Sequence, residues 1–269
     1  MFKNIAITVI LLLFISFFSL QCHKENTGLL SDEQEAELGR KTDSIVAVSP
    51  ELFPIFDTGV YHNAYATIDT LISEILATNY IQRKNVFTYR VKIINSNKIF
   101  AFVLPGGYLY VYSGLINQLE NKSQFAGIMA HLVAHIDRRH ITRNLESKYP
   151  FDALLSVVWK NNPSLTDEIA GYLTSDATSS AFTFQQENEA DEYAVKYLTV
   201  TDYDSRGILE FYNRIDKIKQ AGNNPEIFNT HPDPGDRTEN ILKVWEDAGS
   251  PEGDLYINEY NTFKQMLAN

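Results

Sequence analysis

The sequence predicts an α+β fold, mainly helical with one small β-sheet. Between residues 87 and 112, β-branched and aromatic residues crowd into three short runs around a Pro-Gly-Gly turn. From residue 122 onward, apolar positions recur at helical spacing between loops such as NNPS, AGNNPE and GSPEGD. The order helices, small sheet, helices, without internal repeats or low-complexity tracts, suits a single domain over residues 31–269 that ends in a short C-terminal extension. With 269 residues and 44% hydrophobic content, the chain has ample apolar mass for one core.

At the N-terminus, residues 5–20 (IAITVILLLFISFFSL) form an apolar run behind a single basic residue, Lys3. The run is shorter than the roughly 20 residues of a comfortable membrane span, so residues 1–21 read as a secretory signal. Cys22, the chain's one cysteine, follows where a bacterial lipoprotein is cleaved and lipidated, although Gln21 replaces the small residue usual at that position. Lipidation of Cys22 is the expectation, with an uncleaved anchor or a chance cysteine as alternatives. A polar spacer over residues 22–30 separates it from the domain. One cysteine allows no internal disulfide, so stability must come from packing or a metal. Removing residues 1–21 deletes Lys3 and no acid, leaving 34 acids against 22 basic residues and a net charge of −12. Such a surface repels nucleic acid and anionic lipid.

Residues 31–47 (SDEQEAELGRKTDSIVA) predict a capped, mostly solvated helix, and 60–78 a second one; the two would clasp the domain. Strands are expected over 87–95 and 99–104, and the Pro105-Gly106-Gly107 turn leads into a third, YLYVY. In that strand Tyr108, Tyr110 and Tyr112 share one face, the two-residue period of a half-buried strand. The tyrosine face could hold substrate, or it could simply pack. Helices follow over 122–145, 151–160, roughly 166–200, 204–220 and 235–247.

Chemistry concentrates in two of these helices. His131 and His135 stand one turn apart, so their imidazoles can converge on one ion, although two histidines at this spacing are on their own an ordinary helical pair. In residues 186–198 the apolar stripe of the helix includes Glu187 and Asp191, whereas Glu189, Glu192 and Lys196 fall on the opposite, solvated side. Buried carboxylates cost several kcal/mol unless a cation or donors compensate them. Zinc bound by His131, His135 and Glu187 would do so, leaving one tetrahedral position for water or another group. Asp191, one turn along, suits a partner that orients a ligand imidazole, with a plain salt bridge as the alternative.

In four ordered segments, AFVLPGGYLYVYSGL from 101, GIMAHLVAHIDRRH from 127, ENEAD from 187 and THPDPGDR from 230, the chain resembles the gluzincin peptidases of family M forty-eight. That group includes HtpX, the CAAX prenyl endopeptidase and small bacterial envelope lipoprotein proteases. The resemblance spans most of residues 30–247 and implies a metallopeptidase-like domain with its small sheet beside the zinc-binding helix. It implies His131, His135 and Glu187 as the ligands of one Zn²⁺. His231 would cap the metal of the resting site as a fourth ligand or, if the chain is active, join Arg237 as a catalytic residue; a helix-initiating loop with a surface arginine is the alternative for that pair. His140 fits the extended motif but lies off the metal-facing side and reads as structural, while His23 and His62 match nothing.

Two departures bear on activity. The family carries its general base directly after the first histidine, and here that residue is Leu132. The positions one turn away, Ile128, Met129, His135 and Ile136, offer no proton acceptor other than a ligand. The family's asparagine before Ala-Phe is Phe100, which puts substrate binding in doubt as well. The resulting expectation is an envelope lipoprotein, on the periplasmic side or the cell surface, held to the membrane by its lipid. It would bind zinc, hydrolyse little or nothing, and engage unfolded or misfolded envelope proteins in quality control. An active zinc endopeptidase cleaving such proteins is the first alternative, and a metal-free interaction module the second.

Overall fold

The computed structural model describes residues 30–175, 182–222, 225–231, 235 and 237–268. The apolar run 5–20, Cys22 and His23 lie outside the described residues, as does the stretch 176–181 within the helix expected over 166–200. No helix among the described residues is long and apolar enough to cross a membrane.

Helix α1, Asp32–Ala47, begins at Ser31, whose hydroxyl accepts from the Gln34 backbone N–H while the Gln34 side chain accepts from the Ser31 N–H. It is less solvated than its charge suggests, because Glu35, Leu38, Thr42 and Val46 form a buried stripe. Helix α2, His62–Leu76, buries Ala64, Ile68, Leu71, Ile72 and Ile75 at helical spacing.

The sheet comprises β1 (Arg90–Ile94), β2 (Ala101–Leu104) and β3 (Tyr108–Tyr112), in the order β1-β3-β2. Strand β3 runs parallel to β1, with Arg90 opposite Tyr108, and antiparallel to β2, with Leu104 opposite Tyr108. A turn of 3₁₀ helix at Pro105–Gly107 joins β2 to β3; Gly106 and Gly107 sit at φ 74° and 106°, a region that side-chain-bearing residues seldom adopt. As the middle strand, β3 is buried at all five positions, which corrects the expectation of a half-buried strand with a free tyrosine face. Tyr110 stacks on Phe102 at 4.6 Å and donates its hydroxyl to Asp43 of α1, while Tyr112 packs against Phe100. The tyrosines are core.

After α3 (Ser113–Gln118) comes α4 (Lys122–Asp137), capped by the Asn121 side chain. The helix expected over 122–145 breaks at Arg139, which takes a left-handed φ of 59°, and resumes as α5, His140–Lys148. Tertiary contacts hold the break. The Arg139 guanidinium donates to Glu35 and to the Leu30 carbonyl, and Asp137 accepts from the backbone N–H groups of Gln82 and Arg83. Helices α6 (Phe151–Lys160) and α7 (Pro163–Thr174) follow. The helix expected over 166–200 is thus divided: α7 starts early, at a proline behind the Asn162 cap, and α8 (Phe184–Leu198) starts afresh at a Thr183/Gln186 capping box. The remaining helices are α9 (Gly207–Gln220), α10 (Ile227–Thr230), α11 (Arg237–Asp247) and α12 (Ile257–Ala268). What the sequence offers as a short extension is therefore mostly α12, which buries Tyr260, Phe263 and Leu267 and packs Phe263 on Phe125 at 5.5 Å.

Helix α4 is the axis of the molecule: every residue from Ser123 to Asp137 is buried, chiefly against α8 and α9. Its approach to α9 requires glycine. A Cβ on Gly127 would stand 2.2 Å from the carbonyl carbon of Gly207 and from the nitrogen of Ile208. Gly127→Ala is expected to lower stability by about 1–3 kcal/mol through this overpacking, beyond the small gain in helix propensity. Urea unfolding measures the loss, and an unchanged midpoint would contradict so close a crossing.

Candidate metal centre

Three elements meet one turn into the buried half of α4. His131 and His135 project from α4, Glu187 and Asp191 stand one turn apart on α8, and His231 follows the last residue of α10. The capping box at Thr183 fixes where α8 starts, and this sets the phase that points Glu187 and Asp191 at α4 rather than at solvent. Both carboxylates, all three imidazoles and Arg237, the first residue of α11, are buried.

One donor atom from each of His131, His135, Glu187 and His231 lies within 4.8 Å of the others. The His131 and His135 Nε2 atoms are 3.0 Å apart, and His131 Nε2 is 3.3 Å from His231 Nδ1. Glu187 Oε1 lies 2.8 Å from His231 Nδ1 and 3.3 Å from His135 Nε2. Donors around a tetrahedral zinc with its usual bond lengths stand roughly 3.3 Å apart, so the set has the right compactness for one ion.

The protonation chemistry fits a cation too. Burial drives the His131 and His135 imidazoles well below the usual histidine range, which keeps them neutral. Asp191 Oδ1 accepts from His131 Nδ1 at 2.8 Å and from the Tyr212 hydroxyl at 2.8 Å. His131 therefore carries its hydrogen on Nδ1 and presents a bare Nε2 lone pair to the cluster. Lone pairs converging in a dry interior repel one another unless something positive lies among them. Burial alone would raise the Glu187 carboxyl, but His231, 2.8 Å away, leads the interactions that outweigh it and hold the group well below the usual carboxylate range. The four side chains form a group that could hold a metal ion.

Arg237 is no surface residue. Its guanidinium donates to Glu187 Oε2, lies 3.3 Å from Asp191 Oδ2 and rests over the Tyr212 ring. Tyr212 and Phe182 escape a reading of the sequence. Tyr212 lies on the core stripe of α9 with Ile208 and Ile215, where a polar tip among apolar neighbours is the available sign. Phe182, whose ring centroid is 3.8 Å from that of His135, offers none, since a lone aromatic ahead of a capping residue has many uses.

Leu132 is sealed, with Ile128, Met129 and Ile136 buried around it. Glu189 departs from expectation: rather than standing free in solvent, it accepts from Arg138 Nε and lies 3.1 Å from His140 Nε2, and those bonds hold its carboxyl at about 2. Glu192 does pair with Lys196 at the half-exposed surface, and His62 lies exposed and far from the cluster in its own turn.

A family model described as Peptidase family M48 matches residues 63–244. The β-barrel assembly-enhancing protease of Escherichia coli (strain K12) is 31% identical over 158 residues, covering 54% of this chain and 32% of that protein. Metalloprotease LoiP of the same organism is 24% identical over 184 residues, covering 67% of this chain and 70% of that protein. The mitochondrial metalloendopeptidase OMA1 of Bos taurus is 22% identical over 207 residues, 70% of this chain and 40% of that protein. The chain spans about a third of the length of the β-barrel assembly-enhancing proteases it matches.

Proposed function

This chain belongs to peptidase family M48, and on that premise we propose that it is a zinc-binding envelope lipoprotein that has kept the metal centre of its family and lost most or all of the hydrolysis. The observation that carries this reading is Leu132, fully buried at the position after the first ligand histidine, a side chain that can take no proton. Zinc supplies an acidified water and a polarised carbonyl, but peptide hydrolysis also needs a carboxylate to take that water's proton and pass it to the leaving amine. Among the described residues, the two carboxylates of the centre are both engaged. Glu187 faces His231, His135 and Arg237, and Asp191 is held by His131 and Tyr212.

His131, His135, Glu187 and His231 together make a closed set of four, which is the ligand count of a structural zinc site rather than a catalytic one. Access agrees with this. Strand β2 is buried along its length, and the cavity against His231, walled by Phe102, Val103, Tyr172 and Phe182, measures about 30 Å³. That is room for roughly two water molecules. The likeness to β-barrel assembly-enhancing proteases supports an envelope setting, and on this reading the chain holds unfolded or misfolded envelope polypeptides instead of cutting them, tethered through Cys22. Elemental analysis of the purified protein is expected to give about one zinc per chain, while casein and an unfolded outer-membrane protein stay intact on incubation. Brisk, chelator-sensitive cleavage by the native chain would overturn the reading, and absence of zinc would replace it with a metal-free module.

A further inference from the structure

His140 and Glu189 take no part in the centre as described, yet they are joined to it. His140 is fully buried, its Nδ1 lies 3.0 Å from His135 Nδ1, and its Nε2 lies 3.1 Å from Glu189 Oε2. The break at Arg139 makes this possible, because a continuous helix would carry His140, five residues on, away from the side of α4 that bears His135. Glu189 is anchored in turn by Arg138 Nε at 2.8 Å, and the Phe182 ring lies against both imidazoles.

We infer that His140 and Glu189 are positioning residues that fix the tautomer of His135, so that its Nε2 lone pair faces the cluster. The inference rests on the metal-centre reading above, and the chain of donors settles the direction. A carboxylate can only accept, so the hydrogen of His140 is on Nε2 and is donated to Glu189. The Nδ1 of neutral His140 is then bare and can only accept. With zinc on Nε2, the group 3.0 Å away donates to it, which places the hydrogen of His135 on Nδ1; without zinc, His131 Nε2 at 3.0 Å and Glu187 Oε1 at 3.3 Å compete for that hydrogen. The two histidines of α4 thus reach the same state by different routes: His131 through a direct carboxylate, Asp191, and His135 through a relayed one, Glu189, one imidazole further out. Without the relay, the His135 ring loses the partner that prevents it from turning a hydrogen toward His131 Nε2.

The full chain labelled with ¹⁵N gives the direct test. Two-bond ¹H–¹⁵N spectra are expected to report hydrogen on Nδ1 of His131 and His135 and on Nε2 of His140 in the zinc-loaded protein. Hydrogen on Nε2 of His135, or on Nδ1 of His140, would overturn the inference. Variants supply the second arm. His140→Leu removes the acceptor and is expected to weaken zinc binding about 10- to 100-fold in competition with a chelator. His140→Asn, whose side-chain oxygen can stand where Nδ1 stood, is expected to recover most of that loss. A role in packing alone would leave the Asn variant as weak as the Leu variant, and unchanged affinity in His140→Leu would refute the relay. If the native chain takes up no zinc, it is the metal-centre reading that fails, and hydrogen on Nδ1 of His140 in that protein would still refute the relay.

Discussion

Replacing Leu132 by glutamate is expected to raise the cleavage of casein by the zinc-loaded chain roughly 10²- to 10⁴-fold, the usual worth of a general base. The side chain follows His131 on α4, with Ile128, Met129 and Ile136 buried one turn away, so the variant adds the one group the site lacks without replacing a ligand. His231→Ala serves as the control. It removes the fourth donor and opens a position for water but supplies no base, and on its own it is expected to leave the chain inactive; combined with Leu132→Glu it should exceed the single glutamate variant. A carboxylate at a fully buried position carries a desolvation cost, so thermal unfolding is followed in parallel to separate a dead fold from a dead site. Native protein that cleaves as fast as Leu132→Glu would show that the proton leaves by another route, and the case for an impaired peptidase would end there.

How much of this site can be read from the sequence depends on what sets each residue's place. Helical periodicity alone puts Glu187 and Asp191 on the buried stripe of α8, and the structure brings that stripe to the two histidines of α4. His231 and Arg237 are separated from α4 by about a hundred residues of chain, and only the ordered motifs of a family could tie them to it. The break at Arg139 was not legible, because no glycine or proline marks it and the cause lies in Glu35 and Leu30, far away in sequence. The same break decides the fate of His140, which as part of an unbroken helix would have had no bearing on the centre. The burial of Tyr108, Tyr110 and Tyr112 was obscured for a related reason: alternation of side chains identifies two faces of a strand but cannot say whether both are covered. Capping chemistry was more informative at Ser31, whose boundary depends on residues three apart, whereas the same signature at Thr183 and Gln186 goes unread within the helix expected over 166–200.

Chelation is expected to lower the melting temperature of the zinc-loaded chain by roughly 8–16 °C. At free zinc about a thousandfold above the dissociation constant, an ion bound only by the folded state contributes about 4 kcal/mol, and for a domain of this size each kcal/mol shifts the midpoint by roughly 2–4 °C. The structure gives the loss a local cause. Without a cation, the bare Nε2 of His131 faces the other donors among buried side chains. Arg237 still compensates Glu187 from behind, so the cost falls on the imidazoles and the fold weakens rather than collapses. His231→Ala sharpens the comparison. In a closed set of four, its loss should reduce both zinc affinity and the shift on chelation, whereas in an open catalytic site of three ligands it should change neither. A melting curve indifferent to chelator in the native protein would show that these side chains are reconciled by hydrogen bonds alone, and the leucine beside them would then mark a site that has lost its metal as well as its base.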